Sequence, residues 1–283
     1  MVLGPMPVGA CCSIARSSAT RVVPAAQITY WRQSAPWAAD EDVEQDLLIS
    51  RSIVELFNRP LLHERLAFRG GTALHKLVLA PATRYSEDID LVYLVNEPIG
   101  TVLTEIRDAL AWFPIKALYA VIDIPKLYFR FPTTTTGITR KIKVEIQTHE
   151  TFSASRTVER PYSVISPFFT GATNVRTYPL EELLATKLRA LYQRKKGRDL
   201  YDLWYAAQQQ QIDFDRVYEL FTEYWNATGL SPLRQPQLLA NITQKQKAGI
   251  FAQVAPLLVP GAAFEGDTAC AWFLQTVVPR FPA

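Results

Sequence analysis

Apolar positions recur with two different periods along this chain, and the change of period divides it in two. In residues 39–58, Leu47, Leu48, Val54, Leu56 and Phe57 form one side of a helix opened by Asp40. Residues 66–69 predict a short strand running into Gly70-Gly71, and residues 72–79 a helix ended near Pro81. Residues 86–95 predict a strand. Residues 98–113 predict a helix with Pro98 in its first turn and Val102, Leu103, Ile106, Leu110 and Phe113 on its apolar face. Residues 127–131 and 141–147 alternate apolar with polar, which predicts two paired strands joined by a loop at 133–137. From Pro179 onward the period is helical. Leu180, Leu183, Leu184, Leu188 and Leu191 form one stripe, and helices are expected at 198–208 and 213–226, then a partly helical tail from Ser231.

This order predicts an α+β protein with three parts: a flexible leader at 1–38, a mixed-sheet core domain at 39–170 and a helical domain at 171–283. The boundary is expected in a loop marked by Gly171, Thr173 and Asn174. Within the leader, Pro5 and Pro7 interrupt the first apolar run and no positive charge precedes it, so a secretory signal is not expected. An upstream start codon would explain that stretch equally well.

Composition narrows the classes. The chain has 283 residues, 48% of them hydrophobic and 20% charged, which is ordinary for a globular protein with a sizeable core. No apolar run is long enough to span a membrane. Cys11, Cys12 and Cys270 lack metal-ligand or redox spacing, which points to a reducing, cytoplasmic setting. A net charge of +3 is compatible with an RNA partner without requiring one, so the position of the charge matters more than its sum.

The chemistry is concentrated in Phe68-Arg69-Gly70-Gly71-Thr72-Ala73-Leu74-His75-Lys76 and in Ser86-Glu87-Asp88-Ile89-Asp90-Leu91. Residues i and i+2 of a strand share a face, so Asp88 and Asp90 project together while Ile89 and Leu91 enter the core. Two such carboxylates repel unless a cation lies between them, and Mg²⁺ favours one or two carboxylates plus phosphate oxygens. Glu145, on the polar face of 141–147, is the candidate third carboxylate; the alternative is a cross-strand partner for Lys143 or Arg130. Gly70 and Gly71 let a phosphate approach the main chain at a helix start, and Thr72 and Ser86 would add hydroxyls there. The Gly-x-x-x-x-Gly-Lys-Ser/Thr pattern of a P-loop is absent around these residues.

In the helical half, Lys187 lies along an apolar stripe, where an ammonium needs an anion or an exit to solvent. Asp199 and Asp202, three apart, share one face of the next helix. Lys187 either pairs with one of them or points at a triphosphate. Arg194, Lys195, Lys196 and Arg198 crowd the intervening turn, as a phosphate or RNA site or as charges that complement the helix dipole.

Together these motifs resemble the AbiEii-type (MenT-like) nucleotidyltransferase toxins of the polymerase-β-like superfamily. The likeness covers residues 40–225 and rests on 68–76, on 84–91 and on 183–203 with its Lys-Gly-Arg-Asp-Leu-Tyr-Asp run. It implies a bilobed fold, with a polymerase-β-like nucleotidyltransferase sheet and a helical C-terminal lobe around one cleft. Gly70, Gly71, Thr72, Ser86, Lys187, Arg198 and Asp199 would contact the nucleotide. Asp88 and Asp90 would ligate Mg²⁺, and Lys187 and Asp202 match the lysine and aspartate of the family's later motifs; Glu145, read from its strand face, would complete the catalytic set. The resemblance further implies transfer from a nucleoside triphosphate to an RNA, the tRNA 3′ end foremost, which halts translation, and an antitoxin encoded nearby. A small-molecule or protein hydroxyl as acceptor, or a non-catalytic nucleotide-binding module, are the competing expectations.

Overall fold

The computed structural model describes residues 22–121, 124–151 and 153–283. Its centre is a seven-stranded mixed sheet. The strands are β1 (Leu66–Arg69), β2 (Asp88–Tyr93), β3 (Ile115–Val121), β4 (Pro125–Pro132), β5 (Thr139–Gln147), β6 (Val158–Ile165) and β7 (Thr170–Thr177), in the spatial order β3-β4-β5-β2-β1-β7-β6. β2 runs parallel to β5 and antiparallel to β1, so the carboxylate strand lies in the interior of the sheet.

Alternation along the strands gives the sheet two different faces. Phe68, Ile89, Leu91, Leu127, Phe129, Ile142, Val144 and Ile146 join one core with Leu47, Leu48, Ile53 and Val54 of helix α2 (Asp40–Phe57). Ala67 and Val92 point the other way, into a second core with Leu183, Leu184 and Leu188 of a C-terminal helix, Leu180–Gln193. That second core covers only part of its face. The polar positions of β2, β4 and β5 stay outside it, and they form the floor of a cleft.

Most predicted elements are present, with bounds shifted by a few residues. The exceptions have physical causes. The expected leader is helical where it is described: α1 (Ala25–Trp31) buries Ile28 and Trp31, and Trp31 Nε1 donates to Asp46 at 2.9 Å. Cys11, Cys12 and the rest of the leader up to residue 21 lie outside the described residues. The expected boundary loop is strand β7, paired with β6 and, in parallel, with β1. Gly171 there is a packing glycine, since a Cβ would meet the Phe169 ring at 2.8 Å and Val54 at 3.0 Å. β3 and β6 were not legible from alternation either. The chain continues through α3 (Pro60–Arg65), a short α4 (Gly70–Ala73) and α5 (Gly100–Ala109). The helical half holds α6 (Leu180–Gln193), α7 (Arg198–Gln209), α8 (Phe214–Asn226), α9 (Gln235–Lys247) and α10 (Gly266–Thr276). Asp213 caps α8 by accepting from the amides of Asp215 and Arg216. Cys270 is a buried free thiol.

After α4 the helix widens into a single π turn, Leu74–Val78, closed by Leu79 N to Leu74 O at 2.9 Å. Consecutive residues of that turn reach opposite ways. His75 meets Asp202 of α7 at 2.9 Å, and Lys76 places Nζ 2.9 Å from both carboxylate oxygens of Asp46 in α2. Both halves of the molecule are thus tied to the segment that follows the glycines. Lys76 and Asp46 are nearly buried, so removing one partner leaves an uncompensated charge. Asp46→Ala is expected to cost about 3–5 kcal/mol in urea unfolding, more than truncation of a half-exposed surface pair member such as Glu55→Ala.

Candidate active site

The floor of the cleft is built from the glycine turn and β2. Gly70 takes φ +82°, a left-handed conformation, and a Cβ on it would fall 2.1 Å from Asp90 Oδ2. A Cβ on Gly71 would fall 2.5 Å from Arg84 Nη2 and 3.1 Å from Ser86 Oγ. Both glycines are therefore dictated by close approach of the groups beneath them. Thr72 Oγ1 hydrogen-bonds Ser86 Oγ at 2.9 Å and the carbonyl oxygen of Asp88 at 2.5 Å.

β2 then presents its carboxylates to the cleft. The parallel register sets Asp88 opposite Lys143 and Asp90 opposite Glu145. Lys143 Nζ lies 3.2 Å from Asp88 and 3.0 Å from Glu145, so it bridges two of the three acids. Burial disfavours the Lys143 ammonium, but Asp88, Glu145 and Asp90 outweigh it and raise its pKa. Burial also raises Glu145, yet Lys143 and Lys126 bring it below the ordinary carboxylate range. Asp90 differs from both. It makes no hydrogen bond or ion pair among the described residues, and burial together with the Asp88 charge raises its pKa. Asp88 is raised too, by burial, with Lys143 opposing. An under-neutralised pair of hard oxygen ligands, with a bare glycine against one of them, suits a divalent cation. Asp88 and Asp90 are the residues that would hold it.

The opposite wall comes from α6 and α7, and one buried carboxylate organises it. Asp202 is 0% exposed. Arg84 grips it in a fork, Nε to Oδ1 at 2.8 Å and Nη2 to Oδ2 at 3.0 Å. His75 Nε2 lies 2.9 Å from Oδ1, and Lys187 Nζ 2.9 Å from Oδ2. Burial would raise the Asp202 carboxyl, but Arg84, Lys187 and His75 hold it well below the usual range. Asp199, also 0% exposed, takes Arg194 at 2.7 Å through both its oxygens and Lys187 at 3.5 Å.

These elements enclose a cleft of about 220 Å³ lined by Arg69, Gly70, Gly71, Arg84, Ser86, Asp88, Asp90, Lys143, Glu145, Lys187, Arg189, Arg194 and Arg198, among others. Seven of its lining side chains are basic and three acidic, so the cleft favours a polyanion. Arg198 makes no hydrogen bond among the described residues, and its charge reaches Asp88.

Most of the residues expected from the sequence come together at the cleft, and three lie behind its lining. Asp202 and Asp199 do not line the cleft. Neither has exposed surface, and their oxygens are paired with Arg84, His75, Lys187 and Arg194. Thr72, 1% exposed, does not reach the cleft either; its hydroxyl fixes Ser86 and β2. Conversely, Arg84 was visible only as part of a motif, because nothing local predicts that the residue before Tyr85 turns inward. Lys143 was legible from its alternation with Glu145, though only as a partner and not as a bridge to Asp88.

The sequence model of the AbiEii nucleotidyl transferase toxins, a type IV toxin–antitoxin family, matches residues 51–265, well over half of the chain. The chain belongs to this family. Solved structures agree on the fold. The nucleotidyltransferase toxin MenT4 from Mycobacterium tuberculosis aligns with a TM-score of 0.58 at 18% identity, over 92% of this chain and 100% of that one. JHP933 from Helicobacter pylori aligns with a TM-score of 0.51 at 15% identity, over 86% and 92%. Comparison with curated proteins gives no match. Membership makes this a nucleotidyltransferase of the AbiEii family and implies an antitoxin partner. Among the described residues, no helix is long and apolar enough to cross a membrane.

Two outcomes are expected of the AbiEii fold here. Gly70→Ala forces a side chain onto φ +82° and into Asp90, costing about 1–3 kcal/mol and disrupting the carboxylate pair, as thermal melting and triphosphate binding will show. The second concerns pH. Burial depresses the His75 pKa below its ordinary 6.5 despite Asp202. The unfolded chain therefore binds the proton first, and stability falls as pH drops through and below about 6.5. Urea unfolding between pH 8 and about 5 checks this, with a flatter dependence expected for His75→Gln.

Proposed function

We propose that the cleft transfers a nucleotide from a nucleoside triphosphate to the 3′ hydroxyl of an RNA, with tRNA the foremost acceptor, and releases pyrophosphate. The observation that supports this reading is the under-neutralised Asp88–Asp90 carboxylate face, with one shared ammonium on Asp88 and no partner on Asp90 among the described residues, set against a wall of cations in one cleft. A site that needs a cation on one side and a polyanion on the other suits a metal–triphosphate.

Gly71 lets the phosphates approach the main chain, and Ser86 offers a hydroxyl beside it. Lys187, Arg194 and Arg198 face the triphosphate from the helical side and balance the charge of the departing pyrophosphate. Bound Mg²⁺, held by Asp88 and Asp90, would supply charge neutralisation at the phosphate oxygens. The acceptor oxygen attacks the α-phosphorus in line; the bond to the β-phosphate oxygen breaks, and the hydroxyl proton passes to Glu145 or to water. Glu145 is a weak proton acceptor, since Lys143 and Lys126 depress its pKa, so its main part is to orient the hydroxyl. Asp202 has no direct part; it positions Lys187 and Arg84. In a cell, such transfer onto tRNA in the cytoplasm would block translation, and the antitoxin would relieve it.

Incubation of the protein with total RNA and each α-labelled triphosphate in turn tests the reading. Label is expected in RNA, with Mg²⁺ required. Asp88→Asn should reduce it about a thousandfold, the loss of several kcal/mol of charge stabilisation, with the fold unchanged by circular dichroism. Label in protein or small molecules but not RNA would reassign the acceptor, and equal labelling by Asp88→Asn would overturn the site.

A further inference from the structure

The sheet face that carries the carboxylates continues past the cleft. Beside β5 lies β4, antiparallel, with Lys126 opposite Glu145, Tyr128 opposite Lys143 and Arg130 opposite Lys141. Their intervening neighbours Leu127, Phe129 and Phe131 are buried in the core behind the sheet, so Lys126, Tyr128 and Arg130 share the outer face with Asp88. A groove of about 930 Å³ takes in the Tyr128, Arg130 and Lys141 end of this surface together with Gln45, Glu87 and Arg140, and it shares Asp88 and Lys143 with the cleft. The two depressions thus meet at Asp88, one of the two residues that would hold the metal, and at its partner Lys143.

The groove has the chemistry of a single-stranded nucleic acid. Arg130 is exposed and makes no hydrogen bond or ion pair among the described residues. Lys141, also exposed, has its ammonium 4.9 Å from the centre of the Tyr128 ring, where it leaves its charge available to an incoming phosphate. Arg140 contributes less, being paired to Asp42 at 2.6 Å. The half-buried Tyr128 ring lies on this face with the Lys141 ammonium over it, and a base that takes the ammonium's place there must be unpaired, since a duplex hides its base faces. Strands are about 4.8 Å apart, so Tyr128 lies about 10 Å across the sheet from Asp88. That separation lets a terminal nucleotide reach the carboxylates while its neighbour stacks on Tyr128.

We propose that this β4–β5 groove is the acceptor site: the 3′ strand of the RNA stacks a base on Tyr128 and sets its phosphates on Arg130 and Lys141. The inference rests on the nucleotidyl-transfer reading and adds the direction from which the acceptor enters. It also divides the protein's cations by task, those of α6 and α7 to the triphosphate and those of β4 and β5 to the acceptor.

The test uses the full chain and a fluorescent single-stranded oligoribonucleotide with a free 3′ hydroxyl, its affinity read by anisotropy over a salt series. Calorimetry with Mg²⁺ and triphosphate is run in parallel. Tyr128→Ala is expected to weaken oligonucleotide binding about tenfold, and Tyr128→Phe to restore it. Arg130→Ala with Lys141→Ala should lower the salt slope by about 1.4, two single-strand phosphate contacts at about 0.7 each. Triphosphate binding should stay at the wild-type level in all three. Unchanged oligonucleotide affinity and salt slope in these variants overturns the groove while leaving the transfer reading intact. Wild-type protein that binds no Mg²⁺–triphosphate overturns the transfer reading, and the groove as its acceptor site with it. Preference for a duplex of the same sequence also counts against the groove, since a duplex cannot stack on Tyr128.

Discussion

Asp202 is a single carboxylate with no access to water, and the geometry of the cleft depends on what it gathers. It takes Arg84 from the segment before β2, His75 from the π turn after the glycines and Lys187 from the helix opposite. Three stretches remote in sequence are thereby fixed about one side chain. Charges so buried are stable only with partners of good geometry, and breaking such a set costs far more than an exposed pair would. The same contact puts the Arg84 guanidinium directly under Gly71, which is why no side chain fits there. A residue that never meets substrate therefore decides where the substrate's phosphates can lie.

Against that saturated centre, the surface of the cleft is left unsaturated. Among the described residues, Asp90 has no partner and Asp88 shares its one ammonium with Glu145. Burial raises both carboxyls, and a divalent cation held between them would offset that cost. Lys143 reduces the cost without removing it. This contrast between a neutralised interior and an unbalanced floor is typical of sites where binding supplies the missing charge.

The sequence made much of this legible. Alternation placed Asp88 and Asp90 on one strand face and Glu145 on another, and the parallel register then set Asp90 opposite Glu145. Helical spacing placed Lys187 on α6 and the two aspartates on α7. It could not say that those aspartates face inward, because burial is a property of what packs on them: Arg84 comes from 118 positions away. Strand β7 was read as a loop because Gly171, Thr173 and Asn174 are turn-forming residues. In the fold, Gly171 instead admits the flank of α2. Local propensity gave way to tertiary contact at such points.

The claim most open to direct test is that the Asp88–Asp90 face is incomplete without a cation. Calorimetric titration of the wild-type protein with a non-hydrolysable triphosphate, in Mg²⁺ and then in a chelator, measures it. Saturable binding in Mg²⁺ that disappears with the chelator is the predicted result. Binding of equal strength in both, with the cations of α6 and α7 sufficient alone, would contradict the account.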